Sequence, residues 1–387
     1  MSRRPQVWLE ITHLLASPTG NKSGIGYYTE NLIRAVAKQN SDYDFWLVGN
    51  LFATSPIPDF VKSMGPPTKI SRFFPGKVWN AAFKKGFMPP INRIHGGQPD
   101  FVINFNFVRY PVSPGTKTIT FIHDLAFEKF PEHVQEKNLQ YLRKFVPIAV
   151  KESDRLIAIS QSTKRDVEKM YGVPANLIDV VYGAVDEDRH KRKYKELEIR
   201  KKYRLPDKYV FFIGNNEPRK NLVNLIQAFC TLSDEERKGH VLVLAGSTGW
   251  KNEQLDRVYN EVKSSGKVLR LGYVDEADVP ALYSLSTFFA FPSFYEGFGL
   301  PILEAMAAAT PVLTSRESSM EEVAAKAAYY VDDPNDVDEI AHAIRKLISN
   351  SKLRDTLRKA GLQREKEFTW SKSAEQLINA IKKVDLG

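Results

Sequence analysis

Short apolar runs alternate with longer amphipathic stretches along most of the chain. This alternation predicts parallel β-sheets with helices on both faces, because strands buried on two sides are almost entirely apolar. Strands are predicted at Val7–Ile11, Asp44–Val48, Phe101–Phe105, Thr118–Ile122, Arg155–Ile159, Ile178–Val181, Tyr209–Ile213, Val241–Ala245, Val268–Leu271, Thr287–Phe291, Pro311–Thr314 and Ala328–Val331. Helices are predicted at Gly26–Gln39, Leu139–Ser153, Ser162–Met170, Leu222–Leu232, Asn252–Ser264, Asp278–Ser284, Val337–Asn350, Lys352–Phe368 and Ser371–Lys383.

One densely charged segment, Asp186–Arg204, interrupts the alternation and offers almost no core residues. We therefore expect an N-terminal domain at 1–186 and a second domain at 187–369. A length of 387 residues also suits two domains better than one. The predicted fold class is α/β, with two doubly wound Rossmann-like domains facing a central cleft. Because ligands of such sheets bind beyond the carboxyl ends of the strands, the loops after strands should carry the functional residues.

The formal net charge of +9 is unevenly distributed. No acidic residue lies between Asp59 and Asp100, and within Lys77–Met88 the rings of Trp79, Phe83 and Phe87 share one helical face. Basic aromatic helices of this kind bind anionic membranes, so residues 60–99 predict a membrane-surface contact. The alternative is an ordinary helix whose aromatic residues pack on their own domain. No nucleic-acid partner is expected.

Cysteine content and hydropathy predict a cytoplasmic location. With the basic aromatic segment, they also allow peripheral binding at the inner face of the membrane. Cys230 is the only cysteine, so an intramolecular disulfide is impossible. The N-terminus lacks the apolar core of a signal peptide, and no window of about 18 apolar residues occurs.

The segment Phe291–Glu304, F-P-S-F-Y-E-G-F-G-L-P-I-L-E, is the most informative part of the sequence. A strand is followed by a turn and by a helix that begins near Pro301. Gly297 and Gly299 leave backbone amides bare at the helix start, which favours anionic or hydroxyl-rich ligands. Glu296 and Glu304 lie on either side of these amides in the sequence. This arrangement suits the binding of a sugar joined to a nucleoside diphosphate. The alternative is an ordinary strand–turn–helix with a surface glutamate.

The loop after the first strand, Ser23–Thr29, places Gly24 and Gly26 at another helix start. A dinucleotide-binding fingerprint would need a third glycine at Thr29 and an acidic residue at Asn50. Amides that face a diphosphate are the simpler hypothesis, and plain helix initiation is the alternative.

Two further loops carry candidate chemistry. The loop Gly214–Asn221 places Arg219 and Lys220 at the carboxyl end of the first strand of the second sheet, where they would suit a pyrophosphate. The alternative is a solvated charged turn. His123 directly follows a strand and should face the cleft, unless it only caps the strand end.

A metal site is not expected. Asp42-Tyr43-Asp44 resembles a metal-binding D-x-D motif but precedes a strand, at the wrong end of the sheet, so we interpret it as a polar turn. No other cluster has the spacing of metal ligands.

Glu296 and Glu304 are separated by seven residues, and the string E-G-F-G-L-P-I-L-E-A-M-A surrounds them. This segment, with G-I-G-Y-Y-T, H-D-L-A-F and E-P-R-K-N, resembles the signature of retaining GT-B glycosyltransferases of family 4. The resemblance extends from Gly24 to the last helix, and it implies that residues 370–387 form a helix that crosses back to the N-terminal, acceptor-binding domain.

The resemblance also implies roles for individual residues. His123 and Glu296 would hold the donor hexose, while Arg219 and Lys220 would neutralise the leaving diphosphate. Glu304 would bind the ribose hydroxyls. The remaining donor contacts implied are Gly24, Gly26, Gly214, Val274, Gly297, Phe298, Gly299 and Leu300. Asn215 stands where many relatives have arginine, so Arg219 is expected to substitute for it.

The chain is thus expected to be a metal-independent hexosyltransferase that has no cofactor and uses a nucleotide-sugar donor. The P-R-K-N variant suggests GDP-mannose, with a glycan or lipid-linked acceptor in polysaccharide or glycolipid assembly. A nucleotide-sugar epimerase of the same fold and a non-enzymatic basic membrane-binding protein are alternatives. A glycosidase that uses Glu296 and Glu304 as acid and nucleophile is a third.

Overall fold

A computed structural model describes residues 3–15, 23–51, 55–72, 81–186, 194–246 and 253–385 of the chain. They form two compact units. The first comprises residues 1–125, 137–183 and 369–387, and the second comprises residues 126–136 and 184–368. Segments that are far apart in sequence therefore build each unit.

The first unit contains a seven-stranded parallel sheet in the order β3-β2-β1-β4-β5-β6-β7. Its strands are β1 (Gln6–Glu10), β2 (Asp44–Asn50), β3 (Thr68–Ser71), β4 (Phe101–Asn104), β5 (Lys117–Ile122), β6 (Arg155–Ala158) and β7 (Ile178–Val180). The strand order reverses at β1, whose apolar side chains are fully buried. Loops after β1 and its neighbours are consequently placed at a ligand-binding edge.

The helices of the first unit follow the predicted amphipathic pattern. Its longer helices are Gly24–Lys38, Glu136–Glu152, Gln161–Tyr171 and Trp370–Asp385, and its shorter ones are Thr12–Leu15, Asp59–Lys62, residues 81–84 and Ile91–His95. The last helix of the chain packs on Gly24–Lys38. Its Ser373 donates a hydrogen bond to the Tyr182 carbonyl over 2.7 Å, which ties it to the segment that follows β7.

The second unit contains a six-stranded parallel sheet in the order β10-β9-β8-β11-β12-β13. The strands are β8 (Tyr209–Ile213), β9 (Val241–Ala245), β10 (Val268–Gly272), β11 (Phe288–Phe291), β12 (Val312–Ser315) and β13 (Ala328–Val331). Their helices are Ala126–Lys129, Glu196–Tyr203, Leu222–Thr231, Asp234–Arg237, Glu253–Val262, Val279–Ser284, Leu300–Ala307, Met320–Ala324, Val337–Ser349 and Ser351–Arg364. The order reverses between β8 and β11, so the loops after these two strands are adjacent.

Three differences from the sequence predictions have physical causes. Strand β3 was not predicted because Thr68–Ser71 has a single apolar residue, as an edge strand allows. Residues 126–136, expected in the first domain, belong to the second unit, where the centre of the Phe130 ring lies 5.9 Å from that of the tilted Tyr295 ring. Phe83, expected on a membrane-facing surface, is buried against Phe145 at 4.7 Å.

The rest of the basic aromatic segment is only partly described. Phe87 is 79% exposed, whereas Lys77 and Trp79 lie outside the described residues. Among the residues described, we find no helix with the length and apolarity that a membrane span requires.

Candidate functional site

The strongest candidate site lies where the loops after β8 and β11 meet in the second unit. Side chains from these two loops form a buried cluster of two acids and two bases. Lys220 Nζ lies 2.5 Å from Glu296 Oε1, and Arg219 Nη1 lies 2.8 Å from Glu296 Oε2. Arg219 Nε also donates to Glu217 Oε2 over 2.9 Å. The sequence predicted these cations and Glu296 as separate ligand contacts, but it did not predict that they pair with one another.

Electrostatics keep the Glu296 carboxylate charged. The residue is 6% exposed, and burial alone would raise the pKa of its carboxyl group. Arg219 and Lys220 outweigh burial, so the pKa of Glu296 lies below its ordinary value. Burial and the neighbouring Arg219 lower the pKa of Lys220, against the opposing effect of Glu296. With Glu217, the four side chains sum to zero charge.

The loop after β11 is held by the segment that follows β8. Phe294 N–H donates to the Arg219 carbonyl over 2.9 Å, and the Arg219 side chain returns a 3.1 Å bond to the Tyr295 carbonyl. Asn221, in a left-handed conformation with φ of 61°, donates to the Pro292 carbonyl over 2.9 Å. These bonds satisfy backbone groups that have no partner in a strand or helix, and they fix the approach to Glu296.

Gly299 ends this loop and starts the helix Leu300–Ala307. Its φ of 101° favours glycine, and no side chain caps the helix. Gly297 and Phe298 are buried beside it. Glu304, one turn into the helix, is half-buried and accepts a 3.2 Å hydrogen bond from the Tyr283 hydroxyl. The structure thus places the two glutamates of the motif on a loop and on the helix that follows it, in the predicted order.

A cavity of about 600 Å³ opens beyond the carboxyl ends of β8, β9 and β10. Its lining includes Asn216, Gly246, Asp256, Tyr259, Arg270 and Tyr273. A glycine is required at Gly246, because a Cβ atom there would lie 1.8 Å from the Gly214 carbonyl oxygen. Val274, the predicted base contact, is buried next to Tyr273.

The polar side of this cavity was missed by sequence reasoning. Arg270 donates to Asp256 over 2.7 Å, and its guanidinium lies 4.8 Å from the Tyr259 ring centre. The sequence positions of the two residues indicated that they could meet. Arg270 lies two residues before Gly272, the end of β10, and the helix that contains Asp256 precedes β10. Neither residue belongs to a motif, however.

His123 lies at the carboxyl end of β5 in the first unit and is 3% exposed. Its Nε2 lies 2.6 Å from the Phe105 carbonyl, so this nitrogen carries the proton and donates it. Burial lowers the pKa of His123 to about 4, which keeps the ring neutral near pH 7. The ring packs between Tyr28 and Phe107.

Gly24 and Gly26 lie in the first turn of the helix Gly24–Lys38, as predicted. Ser23 caps this helix by accepting a hydrogen bond from Gly26 N–H over 3.2 Å. The Gly26 amide therefore already has an acceptor. Among the described residues other than its chain neighbours and its own helix backbone, none has a heavy atom within 4 Å of a Cβ atom built on Gly24.

The possible metal motif behaves as a polar turn. Asp44 begins β2 and accepts a bond from Trp46, while Tyr43 donates to Asp385 over 3.1 Å. Within the described part of the chain, no three potential metal ligands from His, Cys, Asp or Glu are grouped together.

Comparisons with known proteins cover both units. Residues 22–189 match the family model described as Glycosyltransferase Family 4, and residues 195–364 match the one described as Glycosyl transferases group 1. O-antigen chain mannosyltransferase B of Escherichia coli is 34% identical over 268 residues, which cover 69% of this chain and 70% of that protein.

Two further comparisons differ in what they cover. The serotype-specific mannosyltransferase WbdA of Escherichia coli is 30% identical, but the match covers 70% of this chain and 35% of WbdA. The crystal structure of Anabaena HepE in complex with UDP and glucose superposes with a TM-score of 0.70 at 17% identity, covering 98% of this chain and all of that one. The predicted GT-B fold class, with two doubly wound domains, is confirmed.

Proposed function

Because the chain belongs to glycosyltransferase family 4, we propose that it transfers mannose from GDP-mannose to a hydroxyl group of a glycan or lipid-linked acceptor, with retention of anomeric configuration. That the protein is a glycosyltransferase follows from the family. The sugar, the nucleotide and the stereochemistry are our proposal. The names of the two Escherichia coli relatives support mannose and the assembly of an O-antigen type of polysaccharide.

The observation that carries the proposal is the pairing of Arg219 and Lys220 with Glu296 in a single buried cluster. Both cations lie at the point of strand reversal, where a diphosphate would meet them together with the start of the helix Leu300–Ala307. Charge that develops on a leaving diphosphate is stabilised by such fixed cations without reorganisation. Glu296 would then hold a hexose hydroxyl and Glu304 the ribose.

The state of Glu296 argues against the glycosidase alternative. A general acid needs a raised pKa, whereas the pKa of Glu296 is lowered by Arg219 and Lys220 once burial has been offset. Charged hydrogen bonds to both of its oxygens also make the Glu296 carboxylate a weaker nucleophile. In the mechanism that we propose, the acceptor attacks on the face that the diphosphate leaves, and the leaving phosphate oxygen takes its proton.

The cavity beside β8, β9 and β10 supports a nucleoside site. Its Tyr259 and Arg270 offer stacking surfaces, and Asp256 offers a carboxylate. Guanine presents two adjacent N–H donors that a carboxylate accepts together, whereas uracil presents one. Asp256 therefore supports a guanine nucleotide over a uracil nucleotide.

A panel of nucleotide sugars tests the donor. We expect GDP-mannose to raise the melting temperature more than UDP-glucose or UDP itself. Asp256→Asn should reduce the difference between the melting-temperature shifts caused by GDP-mannose and UDP-glucose. Asp338→Asn, an exposed change elsewhere in the second unit, should leave that difference unchanged. If every nucleotide sugar leaves the melting temperature unaltered, the proposal is wrong.

Product analysis separates the remaining alternatives. Incubation of GDP-mannose with and without a mannose-terminated glycan should give a new glycoside only with the acceptor, and NMR should show an α-linkage, as in the donor. An epimerase would alter the donor in the absence of acceptor. A basic binding protein would release no GDP in either case.

A further inference from the structure

The serines of the loop after β12 hold the backbone of Glu296 on both sides. Glu296 N–H donates to Ser318 Oγ over 2.8 Å, and Ser319 Oγ donates to the Glu296 carbonyl over 2.8 Å. One loop thus supplies an acceptor for the amide and a donor for the carbonyl of the same residue. Neither serine belongs to the family-4 motif around Glu296 and Glu304.

A third hydroxyl extends the same contact. Ser315, the last residue of β12, donates to the Ser293 carbonyl over 2.5 Å. Together with the bonds from Arg219 and Asn221, these hydroxyls bind the carbonyls of residues 292, 293, 295 and 296. The Glu296 loop therefore has almost no backbone freedom although it has no regular secondary structure.

The backbone of Ser318 is unusual for a residue with a side chain. Its φ of 55° lies in the left-handed region, which favours glycine. A strained residue persists only where its surroundings require it. Here the strained position is the one whose hydroxyl meets the Glu296 amide, and the next residue, Ser319, is fully buried with its hydroxyl on the Glu296 carbonyl.

We propose that Ser318 and Ser319 are positioning residues that fix the Glu296 carboxylate for the donor hexose. The inference rests on the proposed function, in which Glu296 binds that hexose. The two cations already hold the carboxylate end of the side chain, and the serines hold the backbone end. Loss of either serine hydroxyl should let Glu296 rotate away from the sugar while the fold is retained.

Ser318→Gly is the decisive variant, since glycine accepts the left-handed backbone but has no hydroxyl. We expect the melting temperature to change little, because relief of the backbone strain at φ of 55° offsets the lost hydrogen bond. We expect kcat/KM to fall about tenfold, the size of one hydrogen bond lost. Ser318→Asn, which tolerates this backbone and supplies a side-chain oxygen, should recover part of the activity. Ser319→Ala should lower kcat/KM similarly.

Ser373→Ala is the matched control, because Ser373 is also a buried serine whose hydroxyl donates to a backbone carbonyl, that of Tyr182. It should lower the melting temperature but leave kcat/KM unchanged. In Ser318→Gly and Ser319→Ala, the affinity for GDP-mannose should fall more than the affinity for GDP, because GDP lacks the sugar.

Hydrogen exchange tests the contact without any donor. In Ser318→Gly, the Glu296 amide should exchange faster, while the Phe294 amide, bonded to the Arg219 carbonyl, should remain protected. Faster exchange with unchanged kcat/KM would overturn the positioning role and leave the proposed function intact. A wild-type protein that neither binds nor uses GDP-mannose would instead refute the proposed donor, and the comparison would be repeated with the nucleotide sugar that the panel selects.

Discussion

Replacing Glu296 by glutamine should destabilise the second unit strongly, apart from any effect on catalysis. Lys220 is 7% exposed and Glu296 is 6% exposed, so their ion pair is buried. Glutamine keeps the shape of the side chain but leaves Lys220 and Arg219 with only Glu217 as a counter-charge. Breaking one partner of a buried pair costs about 3–5 kcal/mol, because the remaining charge is desolvated and uncompensated.

The expected change is measurable by thermal unfolding. For a domain of about 200 residues, a loss of 3 kcal/mol lowers the melting temperature by about 6–12 °C. Asp332→Asn removes the same charge from an exposed ion pair with Arg316, in which the aspartate side chain is 75% exposed. Exposed pairs contribute little to stability, so this control should shift the melting temperature by less than about 4 °C.

A double variant distinguishes charge from packing. Adding Lys220→Met to Glu296→Gln removes the uncompensated buried charge, so it should restore part of the lost stability. If the losses of stability from Glu296→Gln and Lys220→Met simply add, charge compensation does not hold the cluster together. The same conclusion follows if Glu296→Gln is as stable as Asp332→Asn. Donor binding should stay weak in the double variant in either case.

Three further predictions concern other parts of the molecule. Gly246→Ala should lower the melting temperature by more than 6 °C, about 3 kcal/mol, since its Cβ would lie 1.8 Å from the Gly214 oxygen, whereas Gly24→Ala should change it little. Burial raises the pKa of Glu10 from 4.5 to about 7, so the folded protein retains a proton that the unfolded chain releases. The unfolding free energy, measured in urea, should therefore fall as pH rises from about 4.5 to 7, and Glu10→Gln should flatten that slope. Because the pKa of His123 is about 4, His123→Gln should lower kcat without removing any step near pH 6.5 from the pH–rate profile.

The sequence predicted most of the fold because most of the buried strands are largely apolar. Val241–Ala245 and Tyr209–Ile213 agree with the structure at both ends. The exceptions are elements whose environment differs. Edge strand Thr68–Ser71 needs little apolar surface, and residues 126–136 join the second unit through ring contacts that no local pattern encodes.

The candidate site was predicted as individual residues rather than as a cluster. Glu296 and Glu304 were predicted from their spacing around a glycine-containing loop, and Arg219 and Lys220 from their position in a loop after a strand. Both are local features of the sequence. Their pairing depends on β8 and β11 being neighbours in the sheet, and strand order is not written in the apolar pattern. Ser318 and Ser319 were missed for the same reason, since polar residues in a loop carry no signal until their partners are known.

The helix Trp370–Asp385 has a consequence for biosynthesis. It packs on the helix Gly24–Lys38 and belongs to the first unit, although it follows the second unit in the sequence. A nascent chain therefore cannot complete its first unit until residues 370–385 have left the ribosome, whereas most of residues 184–368 can fold before then. The first unit should therefore finish folding after the second unit. Ribosome-bound chains stalled before Trp370 should have a protease-sensitive first unit.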